Sequence, residues 1–330
     1  MSRDLIEELC SDYQLKEDKA HYPGPFFPFW TNEIYSLGRC WREFSGWPRF
    51  LPLAVSNDHG VQVSEALNTH ENTRHPRAHL TWSTWRETPA NRNGSKKVTR
   101  VTHPWVLYRR LKGLTISSSA NGTLYFVPHT LPDHIHEDPP VAQTLQVLNK
   151  RSGASNAIAM IVSMHDVHEG THMALEEYGH PILTAGHSSS PFFVDRFYAI
   201  VRQFQQSVSN TTGSQVFFME EMGIPTQILG PAAHHPESVR LIYEASGTLR
   251  LNRWDEGYRQ DPEKNISWRA NEAAQALSLD LMENPNRIRR IFLKNLPRYL
   301  FFQPFVELKR KLRRLPAYFF SKLARIGKSR

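Results

Sequence analysis

The stretch 207–230, SVSNTTGSQVFFMEEMGIPTQILG, holds the densest chemistry in the chain. It predicts a short strand ending at Asn210, a turn of small residues, a helix opening at Gly213-Ser214 and a second strand from Ile224. Thr211, Thr212, Gly213 and Ser214 bring hydroxyls and backbone N–H groups to a helix start. The first N–H groups of a helix lack internal partners and point at whatever sits there, which suits an anion such as phosphate. Asn210 stands at the strand end, and Glu220 lies two turns into the helix. An ordinary βαβ turn with a hydroxyl cap has the same composition, so the surrounding chain must decide between the two.

Histidines mark the second kind of candidate. The run 49–55, RFLPLAV, is expected to be a buried strand and ends in Ser56-Asn57-Asp58-His59-Gly60. Open α/β sheets bind ligands beyond the carboxyl ends of their strands. A histidine there, with an ordinary pKa near neutrality, can take a proton from a hydroxyl. His59 is therefore the candidate general base; a turn histidine satisfying local backbone groups is the plainer reading.

From about residue 117 the texture becomes regular. Strands are expected at 122–128, 156–164 and 180–186, closed by His129-Thr130, His165-Asp166 and His187-Ser188-Ser189-Ser190. Helices are expected at 141–148, 171–178 and 191–206. Such alternation builds a parallel sheet with helices on its faces. Its strand ends then lie on one edge, and clusters distant in sequence become neighbours. Arg196, in the helix after the serines, could offer a guanidinium to a phosphate, with a surface ion pair as the alternative.

His168-Glu169-Gly170-Thr171-His172 matches H-E-x-x-H, the zinc-hydrolase signature. That chemistry needs both histidines on one helical face, with the glutamate as base. Here the first histidine follows closely on a predicted strand, and Gly170 disfavours a continuous helix by about 1 kcal/mol. Zinc hydrolysis stays as the alternative reading.

At 330 residues the chain has room for two domains. No apolar run approaches the length of a membrane span. The run MSRDLIEELCSDYQLKEDK is charged and lacks a signal-peptide core. Cys10 and Cys40 make no disulfide framework, so a reducing, cytoplasmic setting is expected. The net charge of +8 is unevenly spread: residues 286–330 hold 14 Lys and Arg against one acid, Glu307, a net +13 that leaves −5 for the rest. Trp30, Trp41, Trp47, Trp105 and Tyr108 read as core. A helix is expected at 270–283. The tail interleaves Phe, Tyr and Leu with Lys and Arg, and Pro297, Pro304 and Pro316 are expected to divide it into short helices. Basic amphipathic segments of this kind lie in the headgroup region of anionic bilayers.

The order of these features resembles glycosyltransferases of the GT-B type that build bacterial surface polysaccharides. The clan is a distant one of capsule sialyl- and Kdo-type transferases and teichoic-acid glycerophosphotransferases. The resemblance spans about residues 50–230. It rests on His59-Gly60 at a strand end, Val127-Pro128-His129, the cluster Ser188, Ser189 and Ser190, and an S-N-x-x-G-S turn followed by Glu and Gly-Ile-Pro over 209–225. It implies an α/β, GT-B-like fold, with two Rossmann-like domains facing a cleft and a basic helical C-terminal tail. The expected units are an acceptor-side domain, 1–118, a nucleotide-sugar-binding domain, 119–285, and the tail, 286–330. It implies that His59 acts as acceptor base, that His129, Ser188 and Ser189 hold the donor nucleotide and phosphate, and that Ser214 contacts phosphate. By position, His187, Ser190, Arg196, Asn210, Thr212, Gly213 and Glu220 complete the expected donor site. The implied reaction moves a sugar from a nucleotide-sugar donor to a hydroxyl of a lipid-linked or polysaccharide acceptor. It needs no metal or other cofactor, and it is expected at the inner face of the cell membrane, with 287–330 on the anionic surface. No nucleic-acid partner is expected. A non-catalytic α/β protein that binds a polyanion or a membrane is the rival reading.

Overall fold

The computed structural model of the protein describes residues 32–67, 78–88, 97–128, 140–152, 157–231, 245–302 and 305. Helix α1 (Leu37–Ser45) leads into a small parallel sheet, β1 (Ser56–Asn57), β2 (Ala78–Thr81) and β3 (Lys97–Arg100), in the order β1-β2-β3. Helix α2 (Pro104–Leu111) follows and packs on α1. The run 49–55 is irregular, and the strand begins only at Ser56, where the expected strand was to end. Pro52 has no N–H to give a ladder, so Leu53, Ala54 and Val55 are buried without pairing.

The second sheet has five parallel strands: β4 (Thr123–Phe126), β5 (Ile158–Ile161), β6 (Ile182–Leu183), β7 (Gln206–Ser209) and β8 (Thr226–Ile228). Their order across the sheet is β6-β5-β4-β7-β8. Chain order therefore reverses between β4 and β7, where Phe126 lies opposite Ser209. This is the order of a doubly wound sheet, whose ligand crevice is expected at the carboxyl ends of those two strands. Thr123, Leu124, Tyr125 and Phe126 are all buried, as a central parallel strand covered on both faces requires.

The connecting helices are α3 (Val141–Ser152), α4 (Met164–His168), α5 (Met173–Glu176), α6 (Phe193–Val201) and α7 (Ser214–Met222). The helix expected over 171–178 is α5, shortened to Met173–Glu176, and a further short helix, α4, precedes it and is ended by Gly170 at φ +78°. Helix α7 has Val216, Phe217, Phe218 and Met219 all buried. Phe217 meets Trp254 at 4.8 Å, while Phe218 meets Trp105 and His103 at 4.7 Å. A helix apolar all round is buried all round, and this one lies between the two sheets. One apolar cluster accordingly runs from Leu37 to Phe292.

The remaining helices pack on β8 of the second sheet and on the turn after β2 of the first. Helix α8 (Ala245–Arg259) covers Phe217, and α9 (Ile266–Leu277) packs along α7. Beyond α9, the Ser278 hydroxyl donates to Trp82 O at 2.7 Å and His103 N–H donates to Leu277 O at 3.0 Å. Helix α10 runs over 285–302. It passes through Pro297, contrary to the expected break, because its inner face is docked on both sides of the proline. Ile288 and Phe292 are buried before it and Tyr299 after it, with Phe292 5.4 Å from Trp47. The near half of the basic segment thus belongs to the folded body.

Asn210 is the polar pin of the second sheet. Its amide nitrogen donates to Thr144 Oγ1 at 2.7 Å and to the carbonyls of Leu229 and Pro231 at 3.0 Å; its amide oxygen accepts from the Tyr125 hydroxyl at 2.5 Å. One side chain so joins β4, β7, α3 and the exit of β8. Asn210→Ala should therefore strand several buried groups and destabilise the chain by about 3 kcal/mol, each group costing roughly 1–3 kcal/mol. The urea midpoint measures this, and an unchanged midpoint would show that the pin is dispensable.

Candidate functional site

The strand end bearing His59 and the start of α7 touch. The Ser214 hydroxyl accepts a hydrogen bond from Val61 N–H at 2.9 Å. A Cβ on Gly60 would stand 2.9 Å from the same Oγ, so a residue without a side chain is what allows the approach. His59 is half-buried beside this contact. The base candidate of the first sheet and the anion-binding turn of the second are thereby brought together at the reversal point of the second sheet. The Ser214 hydroxyl meets the loop directly.

Under His59 lies a buried ionic cluster that the spacing of residues did not suggest. Asp58 Oδ1 meets Nε2 of His79 at 2.8 Å and Nη1 of Arg86 at 2.5 Å, and Oδ2 accepts from the Thr81 hydroxyl at 2.7 Å. All four side chains are closed to solvent. Burial pushes the Asp58 carboxyl up, but the Arg86 charge with the His79 and Thr81 contacts outweighs it and holds the pKa down to about 2. His79 Nδ1 pairs with Ser56 Oγ at 2.9 Å. This serine–histidine–aspartate string has no access to a substrate and serves the architecture. His103 is buried nearby and accepts from Trp105 N–H at the start of α2; burial holds its pKa well below the ordinary value, partly offset by the Asp58 charge.

The turn after β7 holds an anion, and that anion belongs to the protein. Asp255 of α8 accepts from Thr212 N–H at 2.7 Å and from the Thr211 hydroxyl at 3.2 Å. Gly213 caps α7 with no side chain of its own to satisfy the next amides. Glu220 lies six residues beyond Ser214, about 9 Å at 1.5 Å per residue. Its carboxylate accepts from Thr226 N–H at 2.9 Å and Arg269 Nη1 at 3.0 Å, and burial nonetheless raises its pKa. Glu220 therefore closes the α7–β8 turn, away from the helix start.

The histidine–serine cluster sits at the end of β6, on the same edge of the sheet. Three strand spacings of about 4.8 Å separate it from β7, roughly 14 Å. His187 Nδ1 accepts from Ser189 N–H at 3.1 Å and pairs with Ser189 Oγ at 2.6 Å. The Ser36 hydroxyl donates to Ser190 O at 2.9 Å, Tyr35 N–H donates to Ser188 O, and Ser190 Oγ accepts from Phe192 N–H. Tyr35 and Ser36 make these contacts in left-handed backbone, φ +54° and +59°, which costs a residue with a side chain about 1–2 kcal/mol. Arg196 is half-buried on α6. His129 lies outside the described residues.

His168 and His172 of the H-E-x-x-H match fall in different segments, with His168 closing α4 and His172 preceding α5 across the Gly170 turn. The shared helical face that motif needs is missing. Among the described residues no group of three or more His, Cys, Asp or Glu is arranged to hold a metal ion.

No family model matches the chain, and no curated protein matches it. Among solved structures it is similar to the wall teichoic acid polymerase TagF, at 11% identity and TM-score 0.39, over 76% of this chain and 68% of that one. A histidine-to-asparagine variant of TagF gives 12% identity and TM-score 0.35, over 70% and 60%. The S. aureus MnaA–UDP complex gives 10% identity and TM-score 0.40, over 88% and 85%. Likenesses at these TM-scores assign no role to any residue; roles rest on the chain's own geometry.

The depressed pKa of Asp58 sets an acid window. The unfolded carboxyl titrates near its ordinary 3.8 and the folded one near 2, so the stability it contributes is whole above the first value and is lost as pH falls through the second. Unfolding midpoints of the native chain should drop across this window. Asp58→Asn, weaker at neutral pH, should drop less steeply; parallel curves would contradict the assignment.

Proposed function

We propose that the chain is a glycosyltransferase that moves a sugar from a nucleotide-sugar donor to a hydroxyl of a lipid-linked or polysaccharide acceptor. The observation that carries this reading is the Gly60–Ser214 approach, which sets a strand-end histidine beside a helix start at the crevice of a doubly wound sheet. The donor phosphates would lie over the amides of Gly213 and Ser214, the first turn of α7. Asp255, by holding Thr212 N–H, would orient that turn so that the next amides face the crevice. His59 would remove the proton of the acceptor hydroxyl as it attacks the sugar. Charge growing on the leaving phosphate would be met by preorganised N–H donors and the dipole of α7, which need no reorganisation as the bond breaks. His187, Ser188 and Ser189 lie on the same edge and would line the outer part of the donor site, with His129 and Arg196 as further proposed donor contacts. Asn210 and Glu220 enter this reading as braces. The chemistry asks for no metal.

His59→Ala should lower transfer by about 10²–10⁴-fold, the usual contribution of a general base. It should leave the thermal shift produced by a nucleoside diphosphate intact. A panel of UDP, CDP, GDP and CMP finds the base: a ligand at a hundred times its Kd adds about 2.7 kcal/mol of stability. Loss of transfer and nucleotide shift together would move His59 from chemistry to architecture, and no shift with any nucleotide would favour the polyanion-binding rival.

We further propose that the chain works on the inner face of an anionic membrane through the far part of its basic segment. Leu293, Leu300, Phe301 and Phe305 are exposed on α10 and just beyond it, in a segment of net charge +13. Basic residues near an anionic leaflet contribute about 1 kcal/mol each. No helix among the described residues is long and apolar enough to cross a membrane. Removal of 303–330, which carries nine of the fourteen basic residues and Phe305, should sharply weaken sedimentation with phosphatidylglycerol vesicles while leaving the thermal midpoint nearly unchanged, because the docked residues Ile288, Phe292 and Tyr299 remain. Undiminished sedimentation would refute the role.

A further inference from the structure

We infer that Arg86 is a positioning residue for His59, a buried clamp that fixes the loop 58–66 against α7. This inference rests on the reading of His59 as the acceptor base. The loop leaves β1 without joining another strand, and its carbonyls are held one after another by side chains from outside it. Trp82 Nε1 donates to Gly60 O at 2.9 Å, Trp85 Nε1 to Gln62 O at 2.9 Å, and Arg250 to Val63 O. Arg86 takes both ends. Its Nη1 meets the Asp58 carboxylate, its Nε donates to Ser64 O at 3.0 Å, and its Nη2 donates to Ala66 O at 2.9 Å.

Stability alone does not explain such a residue. A fully buried ion pair is commonly no better for stability than well-packed apolar side chains, because desolvation offsets the attraction. What the guanidinium adds is direction. Its planar fork sends donors along three fixed lines, which a lysine ammonium cannot copy. Here those lines end on the residue before His59 and on two carbonyls at the far end of the loop. Three of the holding side chains, Trp82, Trp85 and Arg86, come from one short stretch following β2, so a single rigid turn templates the loop. Arg250 adds a brace from α8, stacked 4.4 Å over the Trp85 ring. With the loop held so, Val61 N–H reaches Ser214 and His59 has one position relative to the start of α7. A base displaced by about 1 Å loses on the order of 10²-fold in rate, whereas substrate affinity set elsewhere in the crevice is little touched.

The test uses the full chain with two substitutions, Arg86→Lys and the milder Trp82→Phe, which removes the bond to Gly60 O and trims a buried ring but leaves the Arg86 contacts in place. Amide exchange is read across 59–66, and kcat and donor KM are read with the nucleotide sugar that the thermal-shift panel selects. Expected are exchange over 59–66 at least tenfold faster, unchanged exchange in α3, a kcat 10–100-fold lower and a donor KM within threefold. Arg86→Lys should exceed Trp82→Phe on every readout, and if Arg86→Lys fails to fold, Trp82→Phe decides alone. Unchanged loop exchange overturns the clamp. Faster exchange with full kcat overturns its link to catalysis. Turnover surviving His59→Ala strikes instead at the base assignment, so the two failures are told apart.

Discussion

A missing side chain at Gly60 is the constraint on which the rest depends. Because nothing projects from that residue, the loop after β1 can lie against the Ser214 hydroxyl, and Val61 N–H can use that hydroxyl as its acceptor. The candidate site draws on both sheets: the first provides His59 after β1, and the second provides the reversal point and the start of α7. The contact costs little because the larger packing has already aligned the partners. Phe217 and Phe218 anchor α7 on opposite sides, one against α8 and one against α2 and α6. The helix start can therefore move little relative to either sheet.

Carboxylates and guanidiniums inside the body set the finer geometry. Asp58 with Arg86 holds one side of the loop, Asp255 holds the turn before α7, and Arg269 ties Glu220 to the Thr226 and Gln260 carbonyls. Arg86, Asp255, Glu220 and Arg269 each satisfy backbone groups that no helix or strand ladder reaches, and Asp58 holds Arg86 in place. Leaving such groups unpaired in the interior would cost roughly 1–3 kcal/mol each. The polar interior is thus a consequence of short strands and long connections.

The architecture of the second sheet was legible in the chain. Turn residues and apolar runs alternated with the right lengths: the strands beginning at Thr123, Ile158 and Ile182 fall inside their expected ranges, and β7 begins at Gln206, one residue ahead of the stretch in which it was expected. The start of α7 at Ser214 was legible for the same reason, a Gly-Ser pair before a solid apolar run. In the first sheet the alternation over 78–87 and the run 98–111 with Pro104 announced β2, β3 and the start of α2, whereas β1 was not legible: it is two residues long, and Pro52 separates the apolar run from the pairing it announces. The loop clamp was also hidden, since Asp58, His79 and Arg86 lie 21 and 7 residues apart and meet only through parallel pairing of β1 with β2. A hint was present in the grouping of Trp82, Trp85 and Arg86, three long donors in five positions. Helix α10 ran past Pro297 because local propensity yielded to burial on either side.

The central claim is that one rim serves both substrates, with donor phosphate at the start of α7 and the acceptor base across from it. A structure determined with a bound nucleoside diphosphate tests this most directly. The terminal phosphate is expected within hydrogen-bond reach of the Gly213 and Ser214 amides, with the His59 ring facing the same space. Phosphate bound beyond the amino ends of the strands, or a His59 ring turned away into the first sheet, would contradict it.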